Sequence, residues 1–191
     1  MICGILLAAG RGSRFGADKL MERLGNGQTV ATTSARTLIS RLPTSIAVCR
    51  PEQHALREQL ADLGFQVEIC DQADQGMGYT LASAVAAAED QADLLVALAD
   101  MPFIRPETLQ KLLIPLQAGA DLIQPRYNQT PGNPVGINHR FREQLLQPSG
   151  DFGARQLLKQ HRNQITYVDV DDPGVLQDID RPEDLPGTED C

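Results

Sequence analysis

The chain opens with Ile2-Cys-Gly-Ile-Leu-Leu7, an apolar run that reads as a short buried strand. It passes directly into Ala8-Ala-Gly-Arg-Gly-Ser-Arg-Phe-Gly-Ala-Asp-Lys19. The glycines Gly10, Gly12 and Gly16 let the backbone turn tightly and come close to a ligand. Successive backbone N–H groups in such a turn make a concave anion site. Ser13 stands among them, Arg14 can fork onto phosphate oxygens, and Lys19 adds a compact charge. A solvated loop is the alternative, but two cations in one loop favour phosphate. Two familiar phosphate motifs do not fit. A P-loop needs Ser or Thr directly after its lysine, and Leu20 stands there. A dinucleotide fingerprint needs an acidic residue at the end of the next strand, and the run Ser45-Ile-Ala-Val-Cys49 ends on Arg50.

The remainder alternates short apolar runs with helical spacing. Helices are expected over residues 30–42, 51–63, 79–89 and 106–116, and strands over 46–49, 65–69, 93–99 and 121–125. This βα alternation predicts a single-domain, three-layer α/β/α fold with a mostly parallel sheet. After a polar loop over 128–134, the expected elements are a short strand at 135–137 and helices at 140–146 and 155–161. A strand at 165–170 and the start of a last helix at 182–185 complete the chain. The single domain spans 1–191, with a first part of about 1–125 and a closing part of about 126–186. Residues 187–191 are a tail.

With 191 residues the chain can bury a sizeable core. The net charge of −8 argues against non-specific nucleic-acid binding, which needs Lys and Arg on phosphates. Any anionic ligand must meet local positive charge. Cys3, Cys49, Cys70 and Cys191 form no Cys-x-x-Cys pair. Free thiols in a reducing cytoplasm are expected. A secretory leader and a membrane span are not expected, since no basic segment precedes the first run and no stretch approaches ~20 apolar residues.

Asp100 ends the apolar run Asp93-Leu-Leu-Val-Ala-Leu-Ala99. In open α/β sheets ligands bind outside the carboxyl ends of strands. A carboxylate facing phosphate oxygens there calls for a divalent cation between them. A helix N-cap is the structural alternative. Asp178-Ile-Asp180-Arg-Pro-Glu-Asp-Leu185 is a second acidic site, with Asp171 and Asp172 just upstream. Gln75-Gly-Met-Gly-Tyr-Thr-Leu81 offers N–H groups at a helix start, or a plain glycine turn. Of His54, His139 and His161, none has ligand spacing, and only His139 stands near a loop of interest.

Leu7 to Lys19 follow the pattern Leu-Ala-Ala-Gly-x-Gly-x-Arg-x-Gly-x-x-Lys. This resembles the signature of nucleotidyltransferases with a Rossmann-like, glycosyltransferase-A-like fold, and the chain resembles molybdenum cofactor cytidylyltransferases of the MocA/MobA-like NTP transferase family. The resemblance implies that Leu7, Ala8, Ala9, Gly10, Gly12, Ser13, Arg14 and Lys19 wrap the nucleotide, with Gly76 and Gly78 against it. It implies Mg²⁺ on Asp100 and Asp180, with Asp178 a weaker candidate, and catalytic roles for Arg14, Lys19 and Asp100. Pro131-Gly-Asn-Pro-Val-Gly136 and Gly150-Asp-Phe-Gly-Ala-Arg155 are similar to acceptor-pocket motifs of that subfamily. They bring in Asn133, Pro134, Gly136, Asp151, Gly153 and Arg155. The resemblance implies that the first part, about 1–125, binds a nucleotide and the closing part, about 126–186, an acceptor. Asn133 stands where the family has His, Arg181 where it has Thr, and Tyr79 and Thr80 where it has smaller residues.

The implied reaction moves CMP from CTP to the phosphate of a molybdopterin-type acceptor and releases pyrophosphate. The implied partners are these small substrates and, transiently, a molybdoenzyme, with no nucleic acid and no membrane. Alternatives are GTP as donor, a sugar or alditol phosphate as acceptor, or a non-catalytic nucleotide-binding regulator or chaperone. Ala9 bears on the base, because the resembling guanylyltransferases have Gly there.

Overall fold

The computed structural model describes residues 1–10, 18–148 and 153–185. Strand β1 (Ile2–Leu7) sits inside an eight-stranded sheet because it is apolar on both faces. Leu6 points into one core, and Ile5 and Leu7 into the other. Parallel neighbours flank β1: β2 (Ser45–Cys49) on one side and β4 (Asp93–Leu98) on the other. Beyond β2 lies β3 (Gln66–Ile69), also parallel. Beyond β4 the direction reverses at β7 (Val135–Ile137), which pairs antiparallel with both β4 and β5 (Leu122–Tyr127). The two-residue β6 (Thr130–Pro131) hairpins onto β5, and β8 (Ile165–Asp169) pairs with β5 in parallel. The expected mostly parallel three-layer architecture is found, with the short antiparallel insert as its one refinement.

Helices α1 (Val30–Ile39), α2 (His54–Asp62) and α4 (Pro106–Gln117) cover one face through Leu38, Leu60 and Leu112. Helices α3 (Met77–Ala87), α5 (Arg142–Leu145) and α6 (Gly153–Gln160) cover the other through Leu81, Leu145 and Leu157. Reciprocal bonds between Thr29 and Thr32 start α1, and Pro106 starts α4 from its first turn. The helix expected from Pro51 begins instead at His54. The Gln53 side chain turns back to accept from Arg50 N at 2.8 Å, which takes residues 50–53 into a turn. The helix expected after Arg181 is a single 3-10 turn, Pro182–Asp184. Among the described residues no helix is long and apolar enough to cross a membrane. Cys3, Cys49 and Cys70 are buried free thiols, and burial pushes Cys3 up to about 11 and Cys49 to about 12.

After β8 the chain crosses the carboxyl rim of the sheet as a strap. Asp172, only 2% exposed, fastens its start by accepting from Arg105 N (2.9 Å), Thr108 Oγ1 (2.6 Å) and Gly174 N (3.0 Å). That accounts for Asp172 structurally and leaves it no opening toward a metal. Gly132 and Gly174 let the strap lie flat. A Cβ on Gly132 would stand 2.2 Å from Val175 O, and one on Gly174 2.3 Å from Phe103 O. Asn133 N then bonds Val175 O at 2.9 Å, and Ile179 N bonds Asp100 O at 2.9 Å.

Gly174→Ala therefore forces backbone from backbone. We expect it to cost about 1–3 kcal/mol in denaturant unfolding, and unchanged stability would show that the strap is not fixed by this contact.

Candidate active site

Three strand ends meet at the carboxyl rim, because the ladder continues past each strand. Ala8 N bonds Val48 O at 2.9 Å, and Ala99 N bonds Leu7 O at 3.1 Å. Ala8–Gly10, Arg50 and Asp100 are thereby set side by side. Ser34 Oγ donates to Ala99 O at 2.9 Å and ties α1 to the same point. The bond from Ile179 N to Asp100 O brings in the strap, so that Asp178 and Asp180 flank Asp100 from 78 and 80 positions further along the chain.

Asp100, Asp178 and Asp180 each offer a carboxylate oxygen, all within 4.8 Å of one another. An all-oxygen donor set at this spacing suits a hard divalent cation that keeps part of its shell for water and phosphate. Asp178, the weaker candidate by sequence, belongs to the same cluster as Asp180. Burial raises the Asp178 carboxyl above its usual range, and the charges of Asp180 and Asp100 add to the effect. The chain holds Asp180 through a local turn, in which Asp184 Oδ2 accepts from Asp180 N at 2.9 Å and Arg181 N at 2.7 Å. The turn thus takes its oxygen from downstream, where Arg181 has none to give.

Lys19 lies in this cluster. Asp18 Oδ1 accepts from Leu20 N at 3.3 Å and opens the 3-10 turn Lys19–Met21. The Lys19 side chain, 7% exposed, donates to Asp100 Oδ2 and Asp180 Oδ1, each at 2.8 Å. Burial by itself would lower the Lys19 pKa, but the charges and hydrogen bonds of Asp100 and Asp180 together outweigh it and raise it. The ammonium is therefore held charged.

Beside the cluster is a cavity of about 360 Å³. Leu7, Ala9, Gly10 and Lys19 line it, as do Asp100, Gly76, Met77 and Thr80. A Cβ on Gly10 would meet nothing within 4 Å among the described residues. Gly76 caps α3 with φ +119°, a conformation that favours glycine. Gly78 faces away, into a separate cleft between α3 and α6. Arg11 to Ala17, and with them Gly12, Ser13 and Arg14, lie outside the described residues.

Arg50 and Gln53 have no part in the sequence motif, yet they hold the loop. Arg50, 7% exposed, donates from Nε to Ala9 O at 2.7 Å and pairs through its guanidinium with Asp74, just before Gly76. Gln53 Nε2 donates to Ala8 O at 3.1 Å. Arg50 therefore joins the two segments that line the cavity. Its only sequence signal was a charge at the end of an apolar strand.

The acceptor motifs are divided by the fold. Asn133 and buried Pro134 enter β7 against the strap. Gly136 is inside β7, where a Cβ would stand 3.1 Å from Ile123, so it serves packing at the centre of the sheet and not the rim. Asp151 lies outside the described residues. Gly153 starts α6, where a Cβ would lie 3.1 Å from the Met77 side chain. Arg155, exposed, lines a groove of about 1110 Å³ with Lys159, Arg162, Gln124 and Tyr167. His139 is drawn to the opposite end of the sheet, where its N and Nδ1 bond Asp93 Oδ1 at 2.8 and 2.9 Å.

Sequence and fold comparisons agree with this layout. "Purine catabolism protein PucB" of Bacillus subtilis is 28% identical, over 96% of this chain and 93% of its own. A "Probable molybdenum cofactor guanylyltransferase" of Thermococcus gammatolerans is 26% identical over 82% and 81%. A manganese complex of Rv0371C from Mycobacterium tuberculosis H37Rv has the same fold, with a TM-score of 0.79, 23% identity and coverage of 96% and 95%. The model of the MobA-like NTP transferase domain matches residues 4–165, and the chain belongs to that nucleotidyltransferase family.

Proposed function

We propose that the protein is a Mg²⁺-dependent cytidylyltransferase that moves CMP from CTP to the phosphate of a molybdopterin-type acceptor, releasing pyrophosphate. The observation that carries this reading is the meeting of Lys19, Asp100 and Asp180 beside the cavity lined by Ala9 and Gly10. The glycine-rich segment with Gly12, Ser13 and Arg14 would wrap the triphosphate. Asp100 and Asp180 would hold a divalent cation, which supplies charge neutralisation on the reacting phosphates. Lys19 and Arg14 would add positive charge where negative charge develops on the departing pyrophosphate. The attacking group is a phosphate oxygen, already anionic, so the reaction asks for positioning and not for a general base.

On the acceptor side, support comes from the groove at α6. Arg155, Lys159 and Arg162 bring three cations together in a chain of net charge −8, next to the planar Tyr167 ring. Gly153, at the start of α6, lies against Met77 of the nucleotide cavity, and the groove lies further along the same helix. An anionic acceptor with a flat polar ring suits that lining. In this reading the donor is held by residues up to about 125 and the acceptor by those after it. The Thermococcus relative's name favours a second reading, with GTP as donor.

Ala9 separates the two donors. It is 4% exposed and lines the cavity, with its carbonyl held by Arg50. A methyl there takes space that a purine needs. One such group is typically worth ~1–3 kcal/mol, or roughly 10- to 200-fold in specificity.

Three outcomes are expected. Asp100→Asn removes a charged ligand and should abolish pyrophosphate release with the fold intact by circular dichroism; unchanged metal-dependent turnover would take Asp100 out of the metal role. Arg50→Met should raise KM for the nucleotide more than it lowers kcat, and should cost ~1–3 kcal/mol of stability through the unpaired Ala9 carbonyl. Measured as kcat/KM, CTP should exceed GTP, with Ala9→Gly narrowing the gap; GTP used equally or better by the parent would sink the cytidylyl reading.

A further inference from the structure

Lys19 does not reach out toward a phosphate; it stands between the two carboxylates. Its ammonium is 2.8 Å from Asp100 Oδ2 and 2.8 Å from Asp180 Oδ1. Those side chains, with Asp178, are the oxygen cluster described above. A divalent cation takes carboxylate oxygens at about 2.0–2.6 Å. It would need the space between Asp100 and Asp180 that the ammonium fills, and two cations at such a distance repel.

We propose that Lys19 is a tethered counter-ion that competes with the divalent cation for Asp100 and Asp180 and, once displaced, is delivered to the triphosphate. The inference rests on the metal reading of Asp100 and Asp180. Three features support it. The cluster concentrates like charge on a short stretch of rim, and the ammonium offsets part of it. Lys19 lines the nucleotide cavity as well as touching the carboxylates, so both destinations are within reach of one side chain. Finally, the backbone at Lys19 is fixed by the Asp18 turn, and only the flexible four-carbon stem has to move.

The consequence is thermodynamic coupling. A cation arriving alone must break two charge-assisted hydrogen bonds and leave a nearly buried ammonium without a partner. With a triphosphate present the ammonium gains new acceptors, so each ligand strengthens the other's binding to the same degree. Lys19 thereby disfavours metal binding at the empty site and favours the metal–nucleotide pair.

The unmodified protein offers a direct test, because Lys19, Lys111 and Lys159 are its only lysines and the last two are exposed. Acylation by an N-hydroxysuccinimide ester, read peptide by peptide by mass spectrometry, should be slow at Lys19 without metal. Saturating Mn²⁺, followed by electron paramagnetic resonance, should speed it severalfold relative to Lys111 and Lys159, and CTP added with Mn²⁺ should slow it again. A Lys19 rate unchanged or lowered at saturating Mn²⁺ overturns the proposal. In parallel, Lys19→Met should bind Mn²⁺ without nucleotide about tenfold more tightly than the parent, the size expected for one lost charge-assisted competitor. Equal or weaker binding by Lys19→Met, with the parent's Mn²⁺ site abolished by Asp100→Asn, overturns the counter-ion and leaves the metal site standing. Mn²⁺ binding that Asp100→Asn does not affect overturns the metal reading, and this inference with it.

Discussion

Three carboxylates within 4.8 Å of one another repel, and the rim of this sheet is arranged around that repulsion. Two of them come from a strap and one from a strand end, so nothing local holds them together. Among the described residues two contacts oppose the repulsion. One is the backbone bond from Ile179 N to Asp100 O, which fixes the strap whatever the charges do. The other is the Lys19 ammonium, bonded to both Asp100 and Asp180. Removing the ammonium would leave three partly exposed carboxylates facing one another with only solvent and the backbone bond to oppose their repulsion.

Sheet topology decides what can gather there. With β1 between β2 and β4 and all three parallel, their carboxyl ends open on one rim. The chain leaving β1 is the glycine-rich segment, the end of β2 is Arg50, and the chain leaving β4 is Asp100. A ligand at that crevice touches residues far apart in sequence but one strand spacing apart in space. The antiparallel β7 adds no loop to this rim from its own carboxyl end. It carries the chain the other way, which is why His139, just after it, ends at Asp93.

Much of this was legible in the residues. Parallel strands buried on both faces are nearly unbroken apolar runs, so β1, β2 and β4 could be read directly. The direction of β7 could not, because Val135-Gly-Ile137 is three residues long and carries no sign of orientation. Asp100 and Asp180 stood out by motif, since each is an acid at a fixed place in a short pattern. Whether Asp178 joins them depends on how the strap bends back over Asp100, which no local pattern records. Arg50 was invisible for a similar reason. Its role depends on the register of β2 against β1, and its acceptor, Ala9 O, is 41 residues away. Gly136 shows the reverse error of motif reading: a glycine beside a loop is required by the Ile123 and Leu116 side chains packed on it.

The strap contains four aspartates whose different work follows from their partners. Asp172 is enclosed and accepts three hydrogen bonds, so its oxygens are used up in fastening the chain to the turn before α4. Asp171, beside it, accepts through its backbone carbonyl from Arg105 Nη1 at 3.0 Å. Asp178 and Asp180 lie beyond the two close glycine contacts and remain accessible enough for a ligand to reach. An anchor and a ligand make opposite demands on a carboxylate. The anchor must have its lone pairs satisfied by the protein, whereas the ligand must keep at least one oxygen for the incoming group. Placing the satisfied aspartate first lets the strap arrive at Asp100 already positioned. The charge of Asp178 and Asp180 is then confined to the last few residues, where Lys19 meets that of Asp180.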